Sequence, residues 1–163
     1  MLRNVLTAAL TTALVADHPQ TLFVLDEAYS DLLPEPQWER RSLEAGNLVV
    51  LHSMTKYWGL AGLRLGHAVA APAPAARLRA AAPPWSVNAC AQQAGLAALA
   101  DLEHHRRTVA LLVAERDRLA VGLDELGSTV EPTAAGFFLI HAGDAPALRR
   151  ALLDRGCLVR DCT

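Results

Sequence analysis

Apolar residues recur at helical spacing over residues 4–16, where Val5, Leu6, Ala9, Leu10 and Ala13 share one face. His18-Pro19-Gln20 breaks that pattern. Thr21-Leu22-Phe23-Val24-Leu25 is then a continuous apolar run ending at Asp26, which predicts a strand buried on both faces. Residues 32–41 carry two prolines and read as an irregular surface segment. Residues 47–51 and 65–71 predict two more buried strands, and Gly59-Leu60-Ala61-Gly62 between them predicts a tight turn. Helix, strand, connection, strand is an α/β pattern, and parallel pairing is expected.

The second half changes character. Residues 88–122 are helical in pattern, with a bend near 101–106. Residues 128–131 and 136–141 are short strand candidates. Residues 144–155 predict an amphipathic helix closed by Gly156, and 157–160 a last strand. A boundary near residue 102 divides an α/β piece, 1–101, from a smaller α+β piece, 102–163. Three parallel strands with few helices make a thin sheet. The chain therefore reads as a slice of a larger doubly wound sheet, cut at both ends.

Composition narrows the picture. The 163 residues are 52% hydrophobic and 20% charged, enough to bury a core. A formal net charge of −2 gives no support for nucleic-acid binding. No secretory leader is evident, and no apolar run reaches the roughly 18 residues of a membrane span. Cys90, Cys157 and Cys162 contain no C-x-x-C pair and read as reduced thiols of a cytoplasmic protein. No metal site is expected, because the adjacent His104 and His105 would point about 100° apart on a helix.

Candidate chemistry centres on one residue. Of fifteen Lys+Arg, only Lys56 is lysine. An arginine stays protonated, whereas a lysine amine can lose its proton and attack a carbonyl carbon. Other polar groups join it at the predicted strand ends, where open α/β sheets bind ligands. They are Asp26 and Tyr29, then Ser53 and Thr55, then Arg64. An amine, an acid, hydroxyls, a phenol and a guanidinium around one crevice suit a phosphorylated aldehyde on a cationic ring. Taken singly, each has a plainer reading. Lys56 could be a chance surface lysine, Asp26 a helix N-cap, Tyr29 a packing residue, Ser53 a turn hydroxyl and Arg64 half of a surface ion pair.

In combination the residues resemble a known family. Asp26-Glu27-Ala28-Tyr29 is similar to its D-E-A-Y strand end, and Ser53-Met54-Thr55-Lys56 to its S-x-T-K. The run from Gly59 to Gly66 resembles its G-L-A-G-x-R-x-G, and Pro84-Trp85-Ser86-Val87-Asn88 the segment leading to its interdomain helix. The family is the fold-type I pyridoxal-phosphate enzymes, class I/II aminotransferases of the histidinol-phosphate aminotransferase branch.

The resemblance implies an α/β fold: the C-terminal part of a large, mostly parallel pyridoxal-phosphate domain, then part of a small α+β domain. It implies pyridoxal 5'-phosphate as cofactor and Lys56 as the Schiff-base lysine and proton shuttle. Asp26 would pair with the ring nitrogen, Tyr29 would bond the ring oxygen, and Ser53 and Arg64 would hold the phosphate. Asn88 would help position substrate. The substrates implied are an amino acid or amino phosphate and a 2-oxo acid, and the partner a second copy in a homodimer. The family's glycine-rich phosphate loop, stacking aromatic residue and substrate-carboxylate arginine have no match here, so a weak or inactive chain is expected. A threonine-phosphate decarboxylase-like lyase is the second reading, since residues 159–163 resemble that subgroup. A non-catalytic remnant or dimerisation piece is the third.

Overall fold

Helix α1 (Ala8–Asp17) begins where the Thr7 hydroxyl accepts the Leu10 amide at 3.3 Å. The structure, a computed structural model, describes residues 7–33 and 38–162. Val5 and Leu6, and Pro34 and Pro36 of the irregular segment, lie outside the described residues. Thr11 and Val15 are the buried positions of α1. Ala9, Leu10 and Ala13, expected on the core face, are exposed instead. Polar partners decide this orientation: the Thr12 hydroxyl reaches the Ala8 carbonyl and the Ser42 hydroxyl, both at 2.8 Å.

Strands β1 (Phe23–Asp26), β2 (Leu48–Ser53) and β3 (Gly66–Ala70) form one sheet in that order. β1 and β2 pair in parallel, with Asp26 opposite Leu51. β2 and β3 pair antiparallel, with His52 opposite His67 and Ser53 opposite Gly66. This corrects the expectation of parallel pairing for the third strand. Parallel strands need a substantial crossover, usually a helix. The link from β2 to β3 holds only a 3-10 turn, Ala61–Leu63, so the chain turns straight back.

Val15, Leu25, Leu48 and Val50 make the core, packed by Phe23, Trp38, Leu43 and Val69. Asn47 fixes its floor. Its buried amide donates to the carbonyls of Val15, His18 and Thr21 at 3.0, 3.1 and 3.0 Å. Full burial on both faces holds for Leu48, Val49 and Val50 but fails for β1, where Val24 is 59% exposed, and for β3, where Gly66, His67 and Ala68 are exposed. No described element covers that side of β1.

Helix α2 (Pro72–Ala81) has no counterpart in the sequence reading, although Pro72 at its first turn is a helix-start signal. The long helical pattern resolves into α3 (Ala89–Ala100) and α4 (Leu102–Glu125). Asp101 divides them and caps α4 by accepting the His104 amide at 2.9 Å. Helix α5 (Ala145–Leu153) closes on Gly156, whose φ of 79° is left-handed, as expected. The two short strand candidates of the second half reduce to one antiparallel bridge, Val130 with Ile140. Residues 157–160 form no strand, because none of the described strands lies alongside to pair with them.

Candidate functional site

The end of β2 and the loop after it present most of the candidate residues. The loop closes at its base by Met54 N–H donating to the Leu65 carbonyl at 3.1 Å. Leu60 N–H reaches the Met54 carbonyl at 3.1 Å, and Gly59 N–H the Lys56 carbonyl at 3.0 Å. Gly59 sits at φ 72°, which the tight return requires. Lys56 rides on this turn with its side chain exposed, and its Nζ stands 5.4 Å from the centroid of the Tyr29 ring. That is cation–π range.

Tyr29 belongs to the segment after β1. Its ring meets Tyr57 edge-on at 6.3 Å and Phe137 edge-on at 5.3 Å. Tyr57 is buried, and burial pushes its phenol above the ordinary value. Phe137 arrives from the far end of the chain. Arg116 of α4 fixes its loop by donating to the carbonyls of Ala134 and Ala135 at 3.1 and 3.2 Å. Sequence reasoning missed both aromatic rings. Tyr57 was adjacent to Lys56 and could have been found; Phe137 carried no local signal beyond a strand pattern.

The polar groups gather along the same edge. Asp26 ends β1, is exposed, and accepts the Ala28 amide at 3.0 Å. Ser53 ends β2, and its hydroxyl shares a 2.7 Å hydrogen bond with Thr55. Arg64 lies just before β3. Parallel strands throughout would bring Arg64 to this edge at a carboxyl end. It reaches the edge for the opposite reason: β3 is antiparallel, so its start lies beside the end of β2. Arg64 holds φ 57°, unusual for a residue other than glycine, and donates to the Ala61 carbonyl at 3.0 Å. Strain of this kind concentrates at functional sites. Asn88 is the N-cap of α3, accepting the Ala91 amide at 2.8 Å. Among the described residues no group of three or more His, Cys, Asp or Glu is placed to hold a metal ion.

The donor set therefore combines one amine, one exposed carboxylate, a hydroxyl pair and an exposed guanidinium. The family profile of aminotransferase class I and II matches residues 4–163. The chain belongs to that family. It is 42% identical over 158 residues to a histidinol-phosphate aminotransferase of Symbiobacterium thermophilum, covering 95% of this chain and 44% of that protein. Among solved structures, it is similar to the histidinol-phosphate aminotransferase of Sinorhizobium meliloti in complex with pyridoxal-5'-phosphate. The TM-score is 0.83 and the identity 26%, over 96% of this chain and 46% of that one. It is also similar to the L-threonine-O-3-phosphate decarboxylase of Porphyromonas gingivalis. There the TM-score is 0.84 and the identity 30%, over 96% and 50%. The chain has the fold type I architecture of this aminotransferase family and spans less than half the length of these aminotransferases.

Proposed function

We propose that the chain carries the lysine side of a pyridoxal-phosphate site in an aminotransferase of the histidinol-phosphate type. Its substrates would be an amino acid or amino phosphate and a 2-oxo acid. The observation that supports this best is the sole lysine poised over Tyr29 on the turn that follows Ser53, in a chain of this family.

The residues present fit the cofactor. Ser53 and Arg64 are the hydroxyl and guanidinium that would hold its phosphate. Asp26 would pair with the ring nitrogen, and Tyr29 would donate to the ring oxygen. Bound there, the cofactor supplies an electron-withdrawing ring that acidifies the substrate's α-carbon. The chain's own contribution is to hold phosphate and ring and to move a proton at the Lys56 Nζ. Tyr29 keeps that amine on one side of the turn by its cation–π contact.

Residues 1–101 are proposed as part of the large cofactor domain and 102–163 as part of the small one; α4 begins at that division. We further propose a homodimer and a cytoplasmic location. The exposed Val24 beside the core supports the first, and three exposed free cysteines support the second. The second reading, a threonine-phosphate decarboxylase, draws its support from the Porphyromonas gingivalis structure.

The test is chemical. Pyridoxal phosphate is added to the 163-residue chain, borohydride fixes it, and peptide mapping locates the label. Label on Lys56, lost in Lys56→Ala, is the expected result. Label confined to the N-terminal amine overturns the assignment.

A further inference from the structure

The second half of the chain reaches the candidate site through one loop, residues 131–139. Val130 and Ile140 pair antiparallel at its base. There Glu131 N–H donates to the Leu139 carbonyl at 2.8 Å and His141 N–H to the Thr129 carbonyl at 3.0 Å. One bridge is a weak hold, since even a full two-stranded ribbon is only marginally stable in water. The far end of the loop therefore depends on other anchors. Ala135 N–H donates to the Thr133 hydroxyl at 3.0 Å, which stiffens the loop from within. Arg116 of α4 anchors it from outside, Nη1 donating to the Ala134 and Ala135 carbonyls at 3.1 and 3.2 Å.

The rest of that guanidinium is held as well. Arg116 Nε and Nη2 lie 2.8 and 2.7 Å from Asp117 Oδ1, and the side chain is 15% exposed. One edge of the planar group faces the carboxylate, and the remaining nitrogen faces the loop. A lysine ammonium, a single point on a flexible stem, does not reproduce that fork.

Phe137 stands two residues beyond Ala135, and its ring meets Tyr29 edge-on at 5.3 Å. Arg116 and Gly136 also lie beside the phenol of buried Tyr57, whose ring makes the other edge-on contact with Tyr29. Tyr29 thus touches one ring next to Lys56 and one ring from the loop that Arg116 pins. A phenol oxygen sits at the far end of a ring that turns about two bonds, so whatever fixes the ring fixes the oxygen.

We propose that Arg116 and Phe137 are positioning residues for the cofactor site: Arg116 pins the 131–139 loop, Phe137 holds the Tyr29 ring, and the Tyr29 hydroxyl is thereby aimed at the ring oxygen of the cofactor. The aim rests on the function proposed above; the pin does not. Both residues act through Tyr29, and both come from the half of the chain that follows Asp101.

Hydrogen exchange of the cofactor-free 163-residue chain, read by mass spectrometry, tests the pin. In Arg116→Lys, residues 131–139 should exchange about 5-fold faster, the worth of one hydrogen bond, while residues 48–53 of β2 keep the wild-type rate. Unchanged exchange at 131–139 overturns the proposal. Absorbance titration with pyridoxal phosphate tests the aim. Arg116→Lys should weaken binding by up to about 5-fold, the loss of one hydrogen bond from Tyr29, and should cost nothing further when combined with Tyr29→Phe. An equal loss in both backgrounds marks a general effect on the fold and overturns the aim. If Arg116→Lys loses protection in β2 as well, Phe137→Leu takes its place, with the same loss expected beside Tyr29 and none in Tyr29→Phe. A wild-type chain that binds no pyridoxal phosphate would sink the cofactor reading and leave exchange at 131–139 to judge the pin.

Discussion

The Lys56 amine and the Tyr29 ring, 27 residues apart in sequence, stand 5.4 Å from each other in the fold. β1 and β2 run parallel, so the segments leaving them emerge at one edge and bring the two side chains together. Tyr29 has two separable contributions. Its ring packs on Tyr57 and Phe137, and its hydroxyl is the group proposed to reach the cofactor.

Tyr29→Phe should therefore leave the thermal midpoint near that of the wild type. It should weaken pyridoxal phosphate binding about 5-fold, the worth of one hydrogen bond near 1 kcal/mol. Tyr29→Ala should weaken binding further and lower stability as well. Absorbance titration with the cofactor, beside a melting curve, separates the two effects. Equal losses of stability in both variants would show that the hydroxyl is structural.

Asn47 joins the end of α1, the start of β1 and the start of β2 through one amide. Asn47→Ala takes this donor from the Val15 and Thr21 carbonyls, while the His18 carbonyl keeps the Thr21 amide at 3.0 Å. The expected cost is about 2–4 kcal/mol in denaturant unfolding, the sum of lost bonds and unsatisfied acceptors. A cost below about 1 kcal/mol would mean that water replaces the amide.

Gly66 and Gly95 make a contrasting pair. A Cβ at Gly66 would meet the His52 carbonyl oxygen at 2.7 Å, so the backbone beside Ser53 would have to move. A Cβ at Gly95 would meet Leu65 Cδ2 at 2.5 Å, the free end of a flexible side chain. Gly66→Ala should cost about 1–3 kcal/mol. Gly95→Ala should stay within about 1 kcal/mol of neutral, since alanine favours the helix. The reverse order in urea titration would show that the β2–β3 edge yields more easily than α3.

The apolar surface predicts association. Leu22 and Val24 of the β1 side, and Leu96, Leu99 and Leu111 of the helices, are all exposed. Patches of this kind drive contacts between chains. Sedimentation of the 163-residue chain should show species larger than a monomer at micromolar concentrations, where exposed hydrophobic surface drives association. A monomer that binds no hydrophobic dye would contradict this.

Much of the candidate site was legible along the chain because its signals are local. A lone lysine after an apolar run, glycines flanking an arginine and an acid closing a strand each report chemistry within a few residues. The helix stop at Gly156 was legible for the same reason, since only the local backbone has to turn left-handed. The periodicity of α1 misled, because Thr11 rather than Leu10 faces the core once Thr12 finds Ser42 across the fold.

What the sequence determined by itself was the presence of the reactive groups and their order at strand ends. Local spacing and chemistry carry that information. What the tertiary structure decided was direction and company. Whether β3 runs with or against β2 depends on the length and closure of the loop between them, which apolar content does not encode. The Phe137 wall on Tyr29 and the pairing of His52 with His67 exist only through long-range pairing, whose register no stretch of neighbouring residues records.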